Sequence, residues 1–167
     1  MIPMSRTMPS PEFVLRHRFA LSRVALGDFE GARNTWLELV EQAPEDALAQ
    51  YHVGLTWFDT GEHTQAAVWF EKVVELRPDW VPGWLNLGLA HLRGGNLETA
   101  RVSLERAVTL DADHYAGWLG LGTALARSGR QIEAVAALRR AHNLRPQVLY
   151  KLLYKLRVNY RLYHRCC

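Results

Sequence analysis

Histidine and cysteine are the side chains here best suited to catalysis or metal binding, and their spacing gathers few of them. His17, His52, His63, His91, His114 and His142 stand far apart, and only His164 has reactive neighbours, Cys166 and Cys167. Those three offer soft donors, but a fourth ligand is not evident, and a terminal thiol pair reads more simply as exposed and oxidisable. The chain holds no HExxH, no phosphate-cradling GxxxxGK[ST] and no GxSxG, so neither a metalloprotease, a P-loop nucleotidase nor a serine hydrolase is expected. Gly94-Gly95 reads as a helix terminator rather than a phosphate loop. The expectation is a non-enzymatic protein without cofactor or metal.

A second kind of chemistry is carried by charge. Of 20 Lys/Arg and 17 Asp/Glu, the stretch 1–80 holds 7 against 12, whereas 81–167 holds 13 against 5. Lys151, Lys155, Arg157, Arg161 and Arg165 stand among Tyr150, Tyr154, Tyr160 and Tyr163, with no acid between Gln147 and Cys167. Basic residues interleaved with aromatics suit an acidic protein, a single-stranded nucleic acid or an anionic membrane surface. The same stretch places Leu149, Leu152, Leu153, Leu156, Tyr160 and Tyr163 on one helical stripe, which predicts an amphipathic helix.

The elements that must position these residues follow from length and repetition. The chain has 167 residues, 49% apolar and 22% charged, enough to bury a core and too apolar for wholesale disorder. No apolar run approaches the roughly 20 residues of a membrane-spanning helix. Residues 1–12, with Pro3, Pro9 and Pro11, lack the apolar region of a secretory signal. A cytoplasmic protein is expected.

Four glycines, Gly27, Gly61, Gly95 and Gly129, stand 34 residues apart. Ala32, Ala66, Ala100 and Ala134 keep the interval, as do Trp36, Phe70, Leu104 and Leu138. Ala20, Gly54, Gly88 and Gly122 each follow an apolar residue. Pro44, Pro78 and Pro146 recur, with Ala112 in the third place. A 34-residue unit holds two helices of about 14 residues and two short turns. Glycine ends the first helix in a left-handed conformation. Asp28 and Asn96 are expected to cap the second helix, proline stops it, and the small residues allow neighbouring helices to approach. The units run 13–46, 47–80, 81–114 and 115–148. Ser10-Pro11-Glu12 signals a helix start after a flexible tail, and 149–167 is expected to cap the last unit.

On these residues the chain resembles the tetratricopeptide repeat (TPR) family. The third unit, with Trp84, Leu87, Gly88, Ala100 and Leu104, fits best. Trp118, Leu121, Gly122, Ala134, Leu138, Ala141 and Pro146 repeat it. Arg16 and Arg23 depart from the pattern in the first unit, as expected where an outer side faces water. The resemblance implies an all-α solenoid whose first helices line a concave groove for partner peptides or helices. The implied lining is Val14, His17, Leu21 and Val24; Leu48, Tyr51, Leu55 and Phe58; Pro82, Leu85, Leu89 and Leu92; Ala116, Leu119, Thr123 and Ala126. Members that grip acidic chaperone tails carry Lys, Asn and Arg in slots occupied here by His17, Leu21, His52, Pro82 and Asn86. Of these only Asn86 suits that role.

The expected function is a scaffold that holds the apolar face of an amphipathic helix, or an extended peptide, in an apolar groove. Occupation of the groove by the C-terminal segment or by a second copy is a further possibility. The alternative is RNA or anionic-lipid binding through the basic C-terminal stretch.

Overall fold

The computed structural model describes residues 10–146. Within them the chain forms eight helices and no strand: α1 (Pro11–Ala25), α2 (Phe29–Gln42), α3 (Ala47–Asp59), α4 (His63–Leu76), α5 (Val81–Gly94), α6 (Leu97–Leu110), α7 (Tyr115–Arg127) and α8 (Gln131–Leu144). The basic stretch from Lys151 to Arg165, the apolar stripe from Leu149 and the cluster of His164, Cys166 and Cys167 lie outside the described residues, as does the N-terminal tail before Ser10.

Local chemistry sets the helix ends. The Ser10 hydroxyl accepts from the Phe13 amide at 3.2 Å, and Asp28 Oδ1 accepts from the Gly31 amide at 2.9 Å. Asp46 and His114 serve α3 and α7 in the same way. Asn96 occupies its expected place before α6, but its side chain makes no capping bond. Gly27, Gly61, Gly95 and Gly129 all have φ between +79° and +88°, the left-handed turn that lets each hairpin close where an L side chain would be strained.

Each helix packs mainly on its neighbours in sequence, and α5 also touches α7. This is the stacking of a solenoid, in which every pair buries its face against the next. Close approach within a pair depends on missing side chains: a Cβ at Gly54 would fall 2.7 Å from Phe70, at Gly88 2.5 Å from Leu104 and at Gly122 2.6 Å from Leu138. Between pairs, one hydrogen bond recurs with the period. Gln50 Nε2 donates to the Pro44 carbonyl (2.6 Å), Trp84 Nε1 to Pro78 (2.9 Å) and Trp118 Nε1 to Ala112 (2.8 Å). Each ties an odd-numbered helix to the turn that precedes it.

The first pair departs from the rest. Arg16, in the slot of those donors, pairs with Glu12 and Glu38, and Arg23 pairs with Asp28. The outer side of α1 is nevertheless not simply polar, because Leu15 and Phe19 are 63% and 53% exposed. At the far end Val135 and Leu138 of α8 are exposed. Leu138 holds the place at which Trp36, Phe70 and Leu104 are fully buried, because those three have another described helix pair beyond them.

Candidate functional site: the concave face

The odd-numbered helices α1, α3, α5 and α7 supply the implied lining residues. Leu21 (43% exposed), Leu48 (43%), Val14 (42%) and Leu119 (39%) are the most open of the larger apolar ones. Tyr51, Leu55, Phe58, Leu85 and Leu89 are half-buried. Tyr51, Leu55 and Phe58 pack against the core beneath α3–α5, and Leu85 and Leu89 against the core of α5–α8. Leu92 differs from its companions. It is only 5% exposed and belongs to the interior with Leu104, Leu121 and Leu125, so it supports the face rather than presenting a surface. Its burial against α6 and α7 is a packing outcome invisible in the spacing.

Asn86, Tyr51 and Thr123 along this face are engaged within the protein, whereas neither ring nitrogen of His17 has a hydrogen-bond partner among the described residues. Asn86 Nδ2 donates to the Tyr51 hydroxyl at 2.8 Å and to the Pro82 carbonyl at 3.0 Å. The Thr123 hydroxyl donates to Leu119 of its own helix. His17 sits in an aromatic cluster that spacing alone did not reveal. Its ring lies 4.8 Å from His52, and His52 stacks on Trp36 at 4.6 Å, nearly parallel. Tyr51 in turn packs 4.7 Å from Trp80 and 5.7 Å from Phe70. These contacts join residues from about half a repeat to about one repeat apart, and the packing of helices within and between pairs brings them together.

Burial of this cluster suppresses charge. His52 is pushed down to about 4, first by desolvation and then by the proximity of His17. His17 is lowered by burial, with Asp46 opposing, and the Tyr51 phenol is raised by burial, with the Asn86 bond opposing. Both imidazoles are therefore neutral at pH 7, and the face from α1 to α7 offers apolar and aromatic area with little charge. Among the described residues no group of three or more His, Cys, Asp or Glu is placed to hold a metal ion, and no helix is long and apolar enough to cross a membrane.

Helix pairs closed by left-handed glycines and stacked through a 34-residue period define a helical-repeat solenoid of the kind that generally mediates protein–protein interaction. A tetratricopeptide repeat family model matches residues 17–79 and 84–147, and the chain belongs to that family. Solved structures with the same fold include a double mutant of MamA RS-1, 21% identical, over 82% of this chain and 77% of that one, with a TM-score of 0.78. MamA residues 41 to the end from Desulfovibrio magneticus RS-1 is 22% identical over 79% and 75%, with a TM-score of 0.74. A further MamA crystal structure is 22% identical over 76% and 74%, also at 0.74. Among curated proteins none matches this sequence.

Proposed function

We propose that this protein is a non-enzymatic cytoplasmic scaffold that holds the apolar side of a partner's amphipathic helix, or an extended peptide, on its concave face. The observation that carries this reading is the composition of that face: leucines and aromatics from the four odd-numbered helices, with the Tyr51, Asn86 and Thr123 polar groups already bonded internally. A partner that buries such a face need not desolvate unpaired charge, and its central anchors contribute most of the affinity. Leu55, Phe58 and Leu89 are the proposed centre, flanked by His17, Leu21, Leu48, Tyr51, Leu85, Leu119 and Thr123, with Leu92 beneath.

Affinity capture with the full chain, read by mass spectrometry, tests the assignment. The double variant Phe58→Ala/Leu89→Ser is expected to lose the partners retained by the wild type, with each truncated anchor costing about 2 kcal/mol of binding. Charge reversal at Lys151, Lys155, Arg157 and Arg161 should spare them. If the charge-reversed chain loses its partners and the double variant keeps them, the basic C-terminal segment is the binding element and the concave reading fails.

A further inference from the structure

A second feature lies between the second and third helix pairs, formed by α4, the end of α5 and the start of α6. The fifth residue of the first three even-numbered helices is Arg33 in α2, Ala67 in α4 and Arg101 in α6. The eleventh residue of the helix that follows in the next pair is Trp57, His91 and Leu125 respectively. At the first junction the Arg33 guanidinium lies 3.7 Å over the Trp57 ring. At the third, Arg101 bonds both Glu98 and Glu105, the latter at 2.6 Å, and its side chain is only 17% exposed. Two of the three junctions thus carry an arginine at the same repeat position, which crosses to the next pair at the first and pairs within its own helix at the third.

At the middle junction that position is Ala67, and a cavity of about 120 Å³ opens there, lined by His63, Thr64, Ala67, Glu71, His91 and Asn96 among others. This far exceeds the ~10–15 Å³ that one water requires. Glu71 stands 34 residues before Glu105, the carboxylate that receives Arg101. The carboxylate position of the third junction recurs here, but the guanidinium position carries a methyl group. His91, 9% exposed, turns Nε2 toward this carboxylate at 3.7 Å, too far for a hydrogen bond. Neither His91 Nε2 nor His63 Nδ1 has a hydrogen-bond partner among the described residues, and the Asn96 side chain makes no capping bond.

From this arrangement we infer that the cavity between α4 and α5 receives an arginine side chain of a partner protein, whose guanidinium pairs with Glu71 and donates to His91 Nε2. The chemistry selects guanidinium over ammonium. A planar fork with five N–H donors can serve a carboxylate and separate acceptors together, whereas an ammonium is a compact point charge. The first turn of α4 and the start of α6 bring partial positive charge that opposes any cation. Arg101 overcomes the equivalent ends of α6 and α8 with two carboxylates, and here Thr64 stands in place of the second. One arginine is therefore a modest anchor within a larger contact, on a site separate from the concave face.

The test uses the full chain and N-acetyl-arginine amide as probe, with N-acetyl-lysine amide as control. The imidazole resonances of His63 and His91 are followed by NMR at constant pH. Expected are saturable shifts at both histidines with one midpoint for the arginine probe, and little response to the lysine analogue. Glu71→Gln, at a half-exposed site, should weaken the midpoint roughly tenfold through loss of a charge-assisted bond. Ala67→Arg should place the guanidinium in cis, abolish the probe response and raise the melting temperature. Shifts that do not saturate, that arise equally with lysine, or that survive Glu71→Gln unchanged would overturn the assignment. Replacing Arg157, Arg161 and Arg165 with Gln should leave the midpoint unchanged. A clearly tighter midpoint in that variant would mean that the chain's own C-terminal arginines occupy the cavity, and the partner would be discarded.

Discussion

His52 shows how the stacking of helix pairs remakes a single residue. As part of a sequence it is an ordinary imidazole, titrating near 6.5 in the unfolded chain. Stacked on Trp36 and against His17, it is held to about 4 in the folded protein. The folded state therefore refuses a proton that the unfolded state accepts, and the contribution to stability has a definite sign. It is neutral above pH 6.5 and turns increasingly unfavourable to folding as pH falls from 6.5 toward 4. The melting temperature is expected to drop over that interval more steeply in the wild type than in His52→Phe, which keeps an aromatic ring against Trp36. Equal losses in differential scanning calorimetry would show that His52 does not titrate in this way. The residue was visible in the sequence, but its neighbours were not, since Trp36 and His17 lie 16 and 35 positions away.

At the scale of the helix, the period carries nearly all the information. The row Ala20, Gly54, Gly88 and Gly122 announced a close approach, and the missing Cβ atoms do meet Phe70, Leu104 and Leu138 of the paired helix. Gly88→Leu should therefore force α5 from α6, at a cost of at least about 1–3 kcal/mol, with a corresponding loss in chemical denaturation. An unchanged midpoint would show that this contact is not tight in solution. Helix ends were readable for the same reason, because caps and left-handed glycines act within a few residues. Asn96 is the exception: a good capping residue in the right place whose side chain does not bond the helix. Arg16 and Arg23 likewise marked an unusual first helix, yet the exposure of Leu15 and Phe19 beside them depends on the absence of another helix pair before α1 among the described residues.

For the whole molecule, the open end at α8 makes a prediction of its own. Val135 and Leu138 are exposed there, and the apolar stripe from Leu149 to Tyr163 follows within a few residues. Deleting 149–167 is expected to lower the melting temperature and promote self-association, since an array needs its terminal face covered. A truncated chain that stays monomeric and melts like the full one would free that segment for binding alone. The all-α class, the pairing of helices and the 34-residue spacing of the turn glycines could be read from the sequence alone, because in a solenoid every unit repeats the same short-range contacts. Tertiary packing decided what differs between the units. It sent Leu92 into the core, gathered His17, His52 and Trp36, and left a cavity at Ala67, whose repeat position carries Arg33 and Arg101 in the neighbouring units. Such features depend on which two side chains meet across a junction, and their meeting is set by how the helix pairs stack rather than by the pattern within either one.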